Sequence, residues 1–406
     1  MISIIDNQLV QNGKRQKKYS DNGHDQKVEL TIFEPPQSST IMTKIKDIIQ
    51  YLETFAPLAY QEEYDNSGLI TGNQHSELNG VIITLDCIEE VIDEAVEKKA
   101  NMIIAHHPII FRGLKKLTGS NYIERTIIKA IKNDIAIYAI HTNLDNISSG
   151  VNKKISDKLG LLNTKILRSK NNTLKKLTTV IPKENTENVL SKLHEAGAGN
   201  IGNYKNCSFR MEGTGTFLPS EEANPTLGEI GQLENVNENR IEVIFPMYLK
   251  NKILNALFKA HPYEEVAYYV HDLENINNDV GSGMVGELPK SMKPSEFLDH
   301  VKKNLEAKVI RHTALVKESI KKVAVCGGSG SFLLGDAINS GADIFISGDF
   351  KYHEFFNAEN RIIIADVGHY ESEQFTKELI YEKISKKFAN IALHFTELNT
   401  NPIFYA

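Results

Sequence analysis

The sequence predicts an α/β fold of two pseudo-symmetric α/β halves, interrupted by an inserted ferredoxin-like α+β module. Three observations carry this. Short apolar runs alternate with amphipathic stretches from Gly80 to about 146, and again from Lys321 onward, the rhythm of a parallel or mixed sheet covered by helices. Between about 170 and 285 the order changes to β-α-β-β-α-β, that of a small split βαβ module. Finally, KKANMIIAHHP (98–108) and NSGADIFISGDF (339–350) resemble each other weakly, each a helix end, an apolar strand and a polar loop.

At 406 residues the chain is too long for one ordinary domain. Residues 1–41 are polar, contain Pro35-Pro36, and are expected to form a disordered extension, with a short strand around Val28–Phe33 as the alternative. Met42 is expected to begin the folded unit and is a candidate start. The first half is placed at 42–169, the inserted module at 170–285 and the second half at 286–406. In the first half, VIITLD (81–86) reads as a buried strand, IEEVIDEAVEKKA (88–100) as a helix and NMIIA (101–105) as a strand. A helix at 121–133 and the strand DIAIYAI (134–140) complete it. The module runs from the strand KLTTVIP (176–182) through the helix Glu184–Ala196, stopped by Gly197, Gly199 and Gly202. Strands at 208–219 and 239–247, a helix at 248–261 and a strand at 264–273 follow.

GSGMVGEL carries Gly281, Gly283 and Gly286, formally G-x-G-x-x-G, but Pro289 follows and no helix opens. It reads as a linker rather than a dinucleotide turn. In the second half, KKVAVCGGSG (321–330) is a strand entering a glycine-rich turn, read as a tight turn because the Lys-Ser/Thr of a phosphate loop is absent. A helix at 331–342, strands at 343–349 and 361–368, helices at 352–360 and from Glu371, and an edge strand NIALHF (390–395) complete the chain.

Composition narrows the function. The net charge is −6, from 46 basic and 52 acidic residues without a basic tract, so no electrostatic footprint for nucleic acid exists. Cys87, Cys207 and Cys326 are far apart and odd in number, against a disulfide framework and for a reducing compartment. No apolar run approaches the ~18 residues of a membrane span. The expectation is a cytoplasmic protein binding neither nucleic acid nor membrane.

Chemistry-bearing residues gather where strands stop. His106 and His107 end one strand, and Pro108 breaks it so that both rings can turn to one place. His141-Thr-Asn-Leu-Asp145 ends the next. His369 closes a strand of the second half, with Glu373 one helical turn later, on the same face. Each piece alone is compatible with ordinary surface residues. Together His106, His107, Asp145, His369 and Glu373 supply three imidazoles and two carboxylates, suited to two divalent ions. Asp86 is a possible further member; Asp349 and His353 are candidates for supporting hydrogen bonds or proton transfer.

At these residues the chain resembles the GTP cyclohydrolase 1 type 2 family, dinuclear metal proteins also called Nif-three-like. The carriers are YDNSGL (64–69), HHPIIFRGLKKL (106–117), HTNLD (141–145), GDFKYHE (348–354), GHYESE (368–373), NTNP (399–402), and, in the module, GTGTFLP (213–219) and HPYEE (261–265). The resemblance covers about 42–406. It implies a bimetal site with ligands at His106, His107, Asp145, His369 and Glu373, and a toroidal homo-oligomer, typically a hexamer. It also implies a metal-dependent hydrolase with a nucleotide-like substrate, Glu373 and His353 being the catalytic candidates. The alternative is a non-catalytic metal-handling or regulatory protein. Zinc, iron, manganese or nickel would all suit such ligands. Two departures stand out: Tyr64 where tryptophan is frequent, and Met284 where arginine is common.

Overall fold

The apolar runs fold into two sheets that share a core. In a computed structural model the described residues are 43–406, with the small antiparallel pair Val10–Gln11 and Lys14–Arg15. The strand expected around 28–33, and the rest of the extension, lie outside the described residues. Lys44–Ala406 form one compact unit.

The first sheet has the spatial order Leu393–Phe395, Val81–Thr84, Met102–Ala105, Ala136–Ala139, Gly68–Thr71. All neighbours are parallel except the last pair. The strands VIIT, MIIA and AIYA are buried at every position, as parallel strands covered on both faces must be. Ile82, Ile103 and Ile137 face outward onto the helices Glu89–Glu97 and Tyr122–Lys132 through Val91, Ile92, Ile127 and Ala130. The second helix starts where the Asn121 side chain accepts from the Glu124 amide at 3.0 Å, a cap satisfying one free N–H.

The second sheet has the order Arg311–His312, Ile363–Asp366, Ile344–Gly348, Ile320–Ser329, Gly281–Met292, Leu162–Ser169. The strands Ile320–Ser329, Ile344–Gly348 and Ile363–Asp366 are parallel; the others join antiparallel. Between the sheets, Ile83, Ile104 and Tyr138 of the first and Val325, Ile346 and Ala365 of the second belong to one apolar cluster. The helices Ile45–Phe55, Val151–Lys158 and Thr376–Lys387 contribute Ile48, Leu52, Ile155 and Ile380 to it. No described helix is long and apolar enough to cross a membrane.

The halves are pseudo-symmetric in connection. Gly68–Thr71 lies antiparallel beside the third of three successive parallel strands, and Arg311–His312 does the same. Met102–Ala105 and Ile344–Gly348 thus hold equivalent places, as the weak repeat indicated.

Sheet membership departs from the expected boundaries. Gly281–Met292 is not a linker but a 12-residue interior strand, with Met284 in the core. Its glycines explain the misreading: a Cβ on Gly281 would lie 2.1 Å from the Arg168 carbonyl oxygen, so the close approach requires the residue that resembles linker composition. Leu162–Ser169, expected in the first half, pairs with that strand, while Leu393–Phe395, expected in the second, edges the first sheet. Two helices also differ. Residues Tyr352–Ala358 are 3₁₀ turns, and the long terminal helix is broken into His369–Glu373 and Thr376–Lys387.

The intervening segment carries strands Leu174–Pro182, Phe209–Phe217, Glu234–Pro246 and Tyr268–Leu273, with helices Thr186–Ala196 and Lys250–Ala260. The element order is the anticipated β-α-β-β-α-β, in an antiparallel sheet ordered fourth, first, third, second. It has a separate apolar cluster around Leu177, Leu193, Phe245 and Leu257.

Candidate metal centre

The parallel ladder delivers both adjacent histidines. Beyond Ala105 the chain keeps pairing: the His106 amide donates to the Thr84 carbonyl at 3.2 Å and the His107 amide to Leu85 at 3.0 Å. The rings nevertheless lie side by side, centroids 4.9 Å apart, so strict strand alternation has been lost by this point. His106 is fully buried, and its Nδ1–H donates to the Ile140 carbonyl at 2.8 Å. His107 Nδ1–H donates to Asp86 Oδ1 at 2.8 Å. His369 Nδ1–H donates to Asp349 Oδ2 at 2.7 Å. Each ring is thereby oriented with its Nε2 turned into the cluster, the arrangement that carboxylates and carbonyls impose on metal-binding imidazoles.

Those Nε2 atoms converge on Glu373, which is buried. Its Oε2 lies 3.0 Å from His107 Nε2 and 3.0 Å from His369 Nε2, and those nitrogens are 3.2 Å apart. Its Oε1 lies 3.8 Å from His106 Nε2, which in turn is 3.6 Å from Asp145 Oδ1. Two donor groups result, His107–His369–Glu373 and His106–Asp145–Glu373, both able to hold a metal ion. Tetrahedral ligands at ~2.0–2.1 Å from an ion sit about 3.3 Å from one another, close to these separations. His106 Nε2 and Asp145 Oδ1 are buried without any hydrogen-bond partner, an orphaning that costs on the order of 1–3 kcal/mol per group unless something else binds them. The residues fit divalent metal, and Glu373 belongs to both of these donor groups.

Electrostatics agree. Burial raises the Glu373 carboxyl, but His369, His106 and His107 outweigh it and hold it well below the usual range. Burial lowers the imidazolium of His107, yet Asp86 and Glu373 push it up to about 9. Burial acts likewise on His369, and Glu373 with Asp349 push it up to about 11. Asp145 is raised, chiefly by burial. Without an ion, then, the cluster balances its carboxylates with protons, which a divalent cation would replace.

Of the other expected residues, Asp86 and Asp349 stand behind the cluster as hydrogen-bond acceptors for His107 and His369. His353 is exposed, its ring against Tyr352 and Phe356, and no hydrogen bond or ion pair among the described residues joins it to the cluster. Two further participants lie outside the five residues expected as ligands. His141 approaches His106 and His107, centroids 5.3 and 5.4 Å away, and forms a third donor group with them. Its Nδ1–H donates at 2.8 Å to Asp65, whose side chain is fully buried and also accepts from Asn66, Ser67 and Thr142. The signal was available: His141 stands four residues before Asp145, the spacing of His369 and Glu373. The glycine-rich turn is the second. At Gly328 (φ 59°) a Cβ would lie 2.4 Å from Glu373 Oε1, so this turn makes room for the shared carboxylate.

The fold and the site together define a class: an α/β protein with a histidine–carboxylate cluster, suited to divalent metal, where two related halves meet. The family model described as Duf34/NIF3 (NGG1p interacting factor 3) matches residues 43–402, and the chain belongs to that family. It is 41% identical over 367 residues to a Bacillus subtilis protein named GTP cyclohydrolase 1 type 2 homolog, covering 89% of this chain and 98% of that one. A Bacillus cereus protein related to NIF3 superposes with a TM-score of 0.79 at 39% identity, covering 90% of this chain and 100% of the other. A Staphylococcus aureus structure gives 0.72 at 30% identity, over 90% and 99%.

Proposed function

We propose that the chain holds two divalent ions at His106, His107, Asp145, His369 and Glu373 and is a metal-dependent hydrolase of a nucleotide-like substrate. The observation that carries this is the split of Glu373, Oε1 toward His106 and Oε2 toward His107 and His369. Two ions at such ligands supply Lewis-acid polarisation and a nucleophile at neutral pH. The protein's own part is positional. Asp86, Asp349 and the Ile140 carbonyl keep protons on Nδ1, so that each Nε2 stays a ligand. His141 Nε2, held toward the cluster by Asp65, accepts a proton from a molecule lying across the site; exposed His353 is a second candidate for proton transfer, further out. A purine nucleotide as substrate follows from the name of the Bacillus subtilis relative. A toroidal homohexamer, a cytoplasmic setting and an inserted ferredoxin-like module, its elements running from Leu174 to Leu273, belong to the same reading.

Elemental analysis of purified protein, run beside a panel of nucleoside triphosphates and phosphate esters, tests it. Two ions per chain and turnover lost in Glu373→Ala are expected; fewer than one ion in the wild type ends the proposal. Full metal loading without turnover on any substrate would favour a metal-handling or regulatory role instead.

A further inference from the structure

NTNP (399–402) is part of the family resemblance, yet it supplies no ligand to the cluster. Its path explains its presence. After the edge strand Leu393–Phe395, the Thr396 amide donates to the Ile83 carbonyl at 3.0 Å. Thr400, 9% exposed, donates through Oγ1 to Asp86 Oδ2 at 2.8 Å. The other oxygen of Asp86 is the one that holds His107 Nδ1. From Asn401 onward the chain reaches the second half. Asn401 Nδ2 and Tyr405 Oη donate to Glu371 Oε1 at 3.4 and 3.2 Å. Glu371 is buried and sits in the short helix that carries His369 and Glu373. That carboxylate folds back onto Gly368, where a Cβ would lie 2.2 Å from Glu371 Oε2 and 3.3 Å from the Tyr405 hydroxyl.

We propose that residues 399–405 form a strap that sets ligand geometry across the two halves. Thr400 positions His107 through Asp86, and Tyr405 positions the His369–Glu373 helix through Glu371. The Asp86 side chain is 31% exposed, so packing alone does not fix its torsions; a donor on its far oxygen does, and a fixed Asp86 keeps the His107 ring aimed inward. Mere terminal packing would make the strap matter for stability and leave metal affinity alone.

The inference rests on the two-ion reading, and cobalt(II) titration of the full-length metal-free protein, followed by visible absorption, separates the two. Wild-type protein that takes up no cobalt sinks the parent reading. Given uptake, Thr400→Val should weaken binding about tenfold, the lower end for residues behind metal ligands, and alter the ligand-field bands. Thr400→Ser, which keeps the donor, should restore both. Tyr405→Phe should weaken binding by a smaller factor. Wild-type affinity and spectrum in Thr400→Val overturn the strap. Should that variant fail to fold, unchanged binding in Tyr405→Phe, at a partly exposed tail residue, overturns it equally.

Discussion

The two halves carry one scaffold with different side chains. In each, the third parallel strand runs into a short helix with a histidine followed four residues later by a carboxylate: His141 and Asp145 in the first, His369 and Glu373 in the second. In each, an aspartate fixes Nδ1 of that histidine, Asp65 and Asp349 respectively. The loop after the middle strand differs, supplying His106-His107 in one half and Asp349 in the other. The acid differs too. Glutamate is one methylene longer than aspartate, and Glu373 reaches between both donor groups whereas Asp145 meets only one. One half is therefore rich in imidazole, including the all-histidine group His106–His107–His141, and the other provides the carboxylate shared by the two mixed groups.

Breaking the asymmetry should have graded effects. The largest comes from the two acids. Glu373→Gln is expected to lose both ions and Asp145→Asn only one, by elemental analysis; equal losses would show that Glu373 is not shared. Next is Gly328→Ala, which demands an L-residue at φ 59° and a Cβ against the shared carboxylate. We expect metal loss and about 1–3 kcal/mol of destabilisation in chemical denaturation, with no equivalent cost at exposed Gly113, where a Cβ meets nothing within 4 Å.

The equivalent histidines give the third contrast. His369→Gln should reduce cobalt affinity by more than the roughly 100-fold that is the upper end for residues behind metal ligands, while His141→Gln keeps both ions and slows any metal-dependent turnover; joint loss of metal from both would make His141 a ligand.

The smallest effect concerns the strand that crosses from one half to the other. Glu94, buried on the helix Glu89–Glu97, accepts from Thr396 Oγ1 and, at 2.9 Å, from the Glu397 amide. Burial raises its carboxyl, but Lys98, Thr396 and Glu397 outweigh that and leave it lowered. A depressed folded-state value means stability present in full above about pH 4.5 and lost as pH falls through the folded value. Thermal unfolding between pH 7 and 3 should show Glu94→Gln less stable than wild type by about 1–2 kcal/mol at neutral pH, the gap closing in acid. A constant gap would mean that shape, not charge, ties the strand.

Much of this was legible from the chain. His106, His107, Asp145, His369 and Glu373 come together as strand ends and helical spacing indicated, because ladders and turns are local rules. His141 was legible by the same spacing but stood apart from the pattern of acids and paired histidines. Gly281–Met292 was not legible, since a strand built for close backbone approach has a linker's composition. Nor was the exchange of edge strands, because pairing partners distant in sequence leave no periodicity of their own.

The sequence by itself determined the alternating strands and helices, the element order of the module and the donor residue types, all properties of neighbours along the chain. The tertiary structure alone decided that Glu373 lies between two donor groups, that Gly328 opens the space for it, and that a C-terminal threonine reaches the carboxylate behind His107. Those depend on distances between residues that only the packing of two sheets around one core brings within reach.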